Sequence, residues 1–201
     1  MAKKIYLSPS EQPKNLYAYG NTNEKEQCRK IAAFAEAALK RSGFEVITGS
    51  TTTMAARCDE ANKWGANLYV PIHTNAFDGK VSGTRLFCYR TAGEGYKACK
   101  AVFDALAPIT PGKSESITAR AELYEVKTPI APTVYIEVDF HDVPDVAKWI
   151  IENTQEIGEA ICKGICNYYG VVYQPPVVVE RRMTVAEISK ALGYPVVIVE
   201  G

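Results

Sequence analysis

The sequence predicts an α/β fold: a twisted, mostly parallel or mixed sheet with helices on both faces. Three observations predict it. Short apolar segments alternate with longer stretches whose apolar residues recur at helical period. The chain has 201 residues at 47% hydrophobic content, enough to bury one sizeable core without covalent staples. The short segments are bounded by turn residues, and Thr133-Val134-Tyr135-Ile136-Glu137-Val138 is a β-rich run broken by one carboxylate.

Taken in order, Lys4 to Leu7 reads as a strand that turns at Ser8-Pro9-Ser10 into a polar loop carrying Gln12, Asn15, Tyr17 and Tyr19. Asn23-Glu24-Lys25-Glu26 opens a helix that places Ile31, Ala35, Ala38 and Leu39 on one face and stops before Gly43. Phe44 to Thr48 is the next strand, and Thr51 to Trp64 the next helix, with Thr53 or a neighbouring threonine as its cap. Asn67 to His73 is a buried strand that ends on an imidazole. After the polar loop Asn75 to Gly83, Thr84 to Tyr89 alternates as a strand, and a helix runs from about Gly95 to Leu106. Pro108 to Ser116 reads as irregular and Glu122 to Val126 as an edge strand. The run around Glu137 is another strand, and a long helix with Val146, Ile150, Ile157, Ile161 and Ile165 on one face ends near Gly170. Beyond Tyr173 the composition changes. Residues 1–173 are expected to form one domain and 174–201 a proline-containing linker and a strand-helix-strand appendage, whose helix has a capping box at Thr184/Glu187 and a C-terminal glycine, Gly193.

Composition excludes several classes of function. Lys plus Arg and Asp plus Glu both number 23, so no net field favours nucleic acid. No segment is apolar enough to span a bilayer, and the start lacks the apolar run of a signal peptide, so a soluble chain made in the cytoplasm is expected. The six cysteines are scattered, and Cys162 and Cys166 have helical rather than CxxC spacing; reduced, mostly buried thiols are expected.

Three side chains carry hydrolytic chemistry. His73 lies at the carboxyl end of a strand, where α/β sheets present their ligands. Glu24 lies in the first turn of a helix, where the dipole favours a carboxylate. Glu137 sits inside an apolar strand, where desolvation is expected to raise its pKa. Zinc catalysis needs about three protein ligands, an open position for water and a nearby carboxylate. Each residue also has a plainer reading: a polar strand end, a helix-stabilising charge, a salt-bridged core carboxylate.

The segments Met54-Ala55-Ala56-Arg57-Cys58 to Ala61-Asn62, Gly65-Ala66-Asn67-Leu68, Ile72-His73-Thr74-Asn75-Ala76, Gly83-Thr84 and Pro132-Thr133-Val134-Tyr135-Ile136-Glu137 occur in the order of a known signature. Together with Glu24 ahead of Ile31-Ala32, they resemble the zinc-dependent N-acetylmuramoyl-L-alanine amidases of the Amidase_3 family over residues 4 to 173. The resemblance implies a twisted sheet of about six strands and cleavage of the peptidoglycan amide between N-acetylmuramic acid and L-alanine. It also implies Zn2+ held by Glu24 and His73, with Glu137 as the base. The family's first ligand is a histidine after Asp-Pro-Gly; here the stretch is Ser8-Pro9-Ser10-Glu11-Gln12. Glu11 in direct register and His141 on a fold-back after Glu137 are the two candidates for the third ligand, with Gln12 a weaker donor. The setting implied is that of an endolysin acting on the cell wall after release. The competing expectation is a non-catalytic wall-binding module derived from an amidase that lost a ligand. Tyr17 and Tyr19 are read either as sugar-stacking residues or as ordinary packing.

Overall fold

A computed structural model describes residues 2–51, 53–177 and 183–198. Six strands form one mixed sheet: β1 (Lys4–Pro9), β2 (Glu45–Thr48), β3 (Leu68–Asn75), β4 (Arg85–Cys88), β5 (Ser116–Ala119) and β6 (Tyr135–Phe140). The order across the sheet is β2-β1-β3-β6-β4-β5. All neighbours are parallel except β4 against β6, which runs antiparallel. The helices are α1 (Glu24–Arg41), α2 (Met54–Trp64), α3 (Gly93–Leu106), α4 (Tyr124–Lys127), α5 (Pro144–Glu152), α6 (Thr154–Tyr169) and α7 (Val185–Leu192).

Strand alternation divides the core in two. Ile5 and Leu7 of β1, Leu68, Val70 and Ile72 of β3, and Ile136 and Val138 of β6 point to one face, where they pack with the apolar sides of α1, α3, α5 and α6. Tyr6 and Tyr69 point to the other face and stack with ring centroids 5.4 Å apart, against Cys58 and Ala61 of α2. The parity that buries Tyr69 also sends His73 and Glu137 to that second face.

The capping signals act as expected. Asn23 caps α1 by accepting from the Glu26 amide, Thr53 caps α2 by accepting from the Ala56 amide, and Thr184 and Glu187 form the reciprocal box on α7. All six cysteines are free and buried. No helix among the described residues is long and apolar enough to cross a membrane.

Three expected elements differ. The edge strand is Ser116–Ala119, paired parallel with β4, whereas the segment read as a strand around Glu122 to Val126 forms the single helical turn α4. The long C-terminal helix breaks at Asn153, whose side-chain amide donates to the Trp149 carbonyl at 2.7 Å and draws the chain out of helical register. In the appendage, α7 forms, but residues 195–198 are not a strand, and most of the first expected strand lies outside the described residues.

Helix α6 approaches both neighbours through glycine. A Cβ on Gly158 would lie 2.7 Å from the Ala35 amide nitrogen of α1, and one on Gly164 would lie 2.4 Å from the Val102 Cα of α3. Backbone atoms cannot swing aside, so the helices must separate to admit a methyl group. Gly164→Ala is therefore expected to cost about 1–3 kcal/mol. At about 2–4 °C per kcal/mol this gives a measurable fall in Tm; an unchanged Tm in differential scanning calorimetry would contradict the close crossing.

Candidate active site

The site lies on the second face at the carboxyl end of the central strands. His73 on β3 and Glu137 on β6 are register partners, so their side chains stand side by side. Glu24 opens α1 and directs Oε1 to His73 Nδ1 at 2.8 Å, while Asn15 donates to its Oε2 at 2.6 Å. Tyr135 stacks on the imidazole with centroids 4.7 Å apart and covers one ring face.

A further carboxylate completes the cluster. Glu125 of α4 places Oε2 3.6 Å from His73 Nε2, so the ring stands between two carboxylates. Glu125 Oε1 accepts from Ser8 Oγ at 2.6 Å and from the Tyr69 hydroxyl at 2.7 Å, and lies 3.4 Å from the Arg57 guanidinium. Arg57 is 2% exposed and also donates to Ser8 Oγ at 2.7 Å. Sequence reasoning missed Glu125. The available signal was Arg57 itself: it shares the inward face of α2 with Ala61, and a guanidinium that deep needs a carboxylate partner.

These neighbours set the protonation states. Burial alone would lower the His73 pKa, but Glu125 and Glu24, with Glu137 behind them, outweigh it and raise the imidazole to about 10. Burial works against ionising Glu24, yet the hydrogen bonds from His73 and Asn15 hold its carboxyl below the usual range. Glu125 is likewise lowered, by His73, Ser8 and Arg57 acting against burial. Glu137 goes the other way: desolvation raises it to about 7, against the pull of His73, and its Oε2 is buried without a hydrogen-bond partner.

The other two expected ligands are placed elsewhere. Glu11 turns to α1, where Lys25 meets Oε2 at 2.8 Å and Arg29 Nε donates to Oε1 at 2.7 Å. His141 lies on Tyr17 with ring planes 1° apart and centroids 4.9 Å apart, and its Nδ1 is 2.9 Å from Thr74 Oγ1. That nitrogen is thus engaged by Thr74 rather than by His73 or Glu24. The same contact settles Tyr17 as a packing residue; Tyr19 is exposed. The residue that does reach the site is Gln12, whose amide nitrogen is 3.4 Å from His73 Nδ1.

Among the described residues no group of three or more His, Cys, Asp and Glu side chains is arranged to hold a metal ion. Around His73 Nδ1 the donor chemistry nevertheless fits one. Glu24 Oε1 and His73 Nδ1 converge, the Gln12 amide lies beside them, and the unpartnered Glu137 carboxylate stands next to the pair.

Residues 8–167 match the family model described as N-acetylmuramoyl-L-alanine amidase. The chain belongs to this amidase family. An uncharacterized 38.4 kDa protein of Clostridium perfringens is 28% identical over 160 residues, which are 74% of this chain but 46% of that one. The chain thus spans under half the length of that curated relative. In fold, it resembles the catalytic domain of CwlV, an N-acetylmuramoyl-L-alanine amidase from Bacillus (Paenibacillus) polymyxa var. colistinus, with TM-score 0.76 and 20% identity over 85% of this chain and 99% of that one. AmiC2 of Nostoc punctiforme, also an N-acetylmuramoyl-L-alanine amidase, gives TM-score 0.74 and 20% identity over 84% and 97%. The family's α/β architecture is therefore present.

The clasp on His73 has a pH signature. Its folded pKa of about 10 lies above the ordinary 6.5, so the stabilisation it gives is fully present below pH 6.5 and lost as pH rises through 10. In chelator-treated protein the urea midpoint should fall across that window. Glu125→Gln should lower the His73 pKa in an NMR titration and flatten the fall, whereas Glu125→Ala, which strips Arg57 of its partner, should cost about 3–5 kcal/mol. An unmoved His73 titration in Glu125→Gln would contradict the clasp.

Proposed function

We propose that the chain is a peptidoglycan hydrolase that cleaves the amide between the lactyl group of N-acetylmuramic acid and the L-alanine of the stem peptide. One observation carries this reading: a desolvated carboxylate, Glu137, with a pKa of about 7 stands in register beside the Glu24–His73 pair. A carboxylate tuned to neutral pH suits proton transfer in both directions.

Zn2+ is the proposed cofactor, held by Glu24 and His73 with the Gln12 amide oxygen as third donor. A half-turn of that amide, which gives up the bond Asn15 donates to its oxygen at 3.1 Å, brings the oxygen toward the pair. Glu125 then takes the second ring nitrogen of His73 as the outer carboxylate that fixes tautomer and orientation. The bound ion would supply Lewis acidity and lower the pKa of a water to about 7. Glu137 accepts the proton of the attacking water and returns it to the departing amine of L-alanine, while Tyr135 shields His73 from solvent on one ring face. The proposed domain boundary is near residue 174: Arg41 donates to the Gln174 carbonyl at 2.8 Å, and Tyr173 donates to Glu159 at 2.6 Å, tying the chain to α1 and α6. The proposed setting is that of an endolysin, a catalytic unit with a short appendage.

Glu137→Gln should abolish the release of stem peptides with free L-alanine amino termini from purified sacculi, by about 100-fold or more, with an unchanged Tm. Wild-type activity should rise with pH through about 7, as Glu137 must be ionised to act. Activity retained in Glu137→Gln, or sacculus binding by wild type with no release, would refute the hydrolase. Gln12→His restores an imidazole at the third position and should tighten zinc binding about 10-fold or more in competition with a chromophoric chelator; unchanged affinity would show that Gln12 does not face the ion.

A further inference from the structure

A groove opens beside Glu137 that the proposed chemistry does not use. Its cavity, about 390 Å³, runs between the Asn75–Val81 loop and the outer strands, lined by Phe77, Arg85, Phe87, Arg120 and Phe140 among others. Arg85 is the direct antiparallel partner of Glu137 on β4. Its guanidinium is nevertheless turned away from that carboxylate. It lies over the Phe140 ring at 5.4 Å, with Nη2 donating to Ser114 Oγ at 2.7 Å, and its Nε is buried with no hydrogen-bond partner. Arg120 lies over the Phe87 ring at 5.1 Å and pairs with Glu122 at the rim. Phe87 packs on Tyr135 at 5.7 Å and Tyr135 stacks on His73, so one aromatic wall runs from the imidazole into the groove. Phe77 at the mouth is 77% exposed.

Two guanidiniums seated on rings along one cavity mark a site for an anion carried on a partly apolar ligand. The planar fork of arginine matches a carboxylate, and both guanidinium-bearing residues line the cavity. In the proposed substrate the sugar backbone is neutral, and the carboxylates belong to the peptide beyond the scissile amide. We propose that the Arg85–Arg120 groove binds the stem peptide through the free α-carboxylate of the residue after L-alanine, and so determines which peptides are presented to Glu137. This rests on the amidase reading for its substrate class.

The test is binding of the free γ-linked tripeptide L-Ala-γ-D-Glu-L-Lys and its D-isoglutamine analogue, in which the α-carboxylate is amidated, to Glu137→Gln protein by isothermal titration calorimetry. The acid should bind at least tenfold more tightly than the amide. In the same protein carrying Arg85→Gln and Arg120→Gln that discrimination should vanish, with Tm unchanged. Equal binding of acid and amide, no binding of either, discrimination surviving the arginine changes, or glycerol phosphate bound more tightly than the acid would each overturn the assignment; the last would point to an anionic wall polymer. Sacculus cleavage by the wild type separates the two readings. Discrimination without cleavage leaves the groove standing and removes the amidase; cleavage without discrimination does the reverse.

Discussion

Everything at this site depends on the pairing of β3 with β6, which sets His73 beside Glu137 on one face of the sheet. Strand alternation leaves no freedom in that placement. A slip of one residue in either strand would turn its own member of the pair into the apolar layer beneath α1 and α6 and expose Ile72 or Ile136 in its place. The many buried aliphatic side chains that fix the register therefore also fix the distance between the two groups. The other contributors arrive from ends of elements: Glu24 from the first turn of α1, Glu125 from a single helical turn, Gln12 from the loop after β1. A rigid pair on neighbouring strands is thus approached by groups on shorter, more adjustable segments.

The charge arrangement is demanding. Glu24, Glu125 and Glu137 surround His73, and Arg57 lies behind Glu125; all are buried except Glu137, which is half-buried with one carboxylate oxygen shut away from water. Buried charges are tolerated only when paired and hydrogen-bonded, and two of these carboxylates are. Glu24 has His73 and Asn15; Glu125 has Ser8, Tyr69 and Arg57. Glu137 lacks such partners on Oε2, and for that reason its proton is held near neutrality while those of Glu24 and Glu125 are released at lower pH. Under the proposed mechanism these environments divide the work, with two carboxylates holding charge and one moving a proton.

Much of this is legible in the sequence because it depends on local pattern. The capped starts of α1 and α2, the strand end at His73 and the carboxylate inside the β-rich run at Glu137 can be read from spacing and turn chemistry. What could not be read is tertiary. Leu123-Tyr124-Glu125-Val126 alternates like a strand, but burying Glu125 against an arginine 68 positions earlier folds it as one helical turn. Glu11, in direct register with the expected ligand position, is held away from His73 because Lys25 and Arg29, one helical turn apart on α1, capture its carboxylate. His141 is near the site along the chain yet bonded to Thr74. In each case the pattern identified the chemically competent residues, and long-range pairing decided which of them meet.

The central claim is that one imidazole, His73, with oxygen donors from Glu24 and Gln12, forms the metal centre beside Glu137. Extended X-ray absorption at the zinc edge of the loaded protein tests it most directly, because outer-shell scattering counts imidazoles. The account predicts one histidine with the remaining ligands all oxygen, and loss of the histidine signal in His73→Ala. Two histidines would mean that His141 leaves Thr74 to join the site, and sulfur scattering or failure to take up zinc would place the chemistry elsewhere; either result would contradict the account.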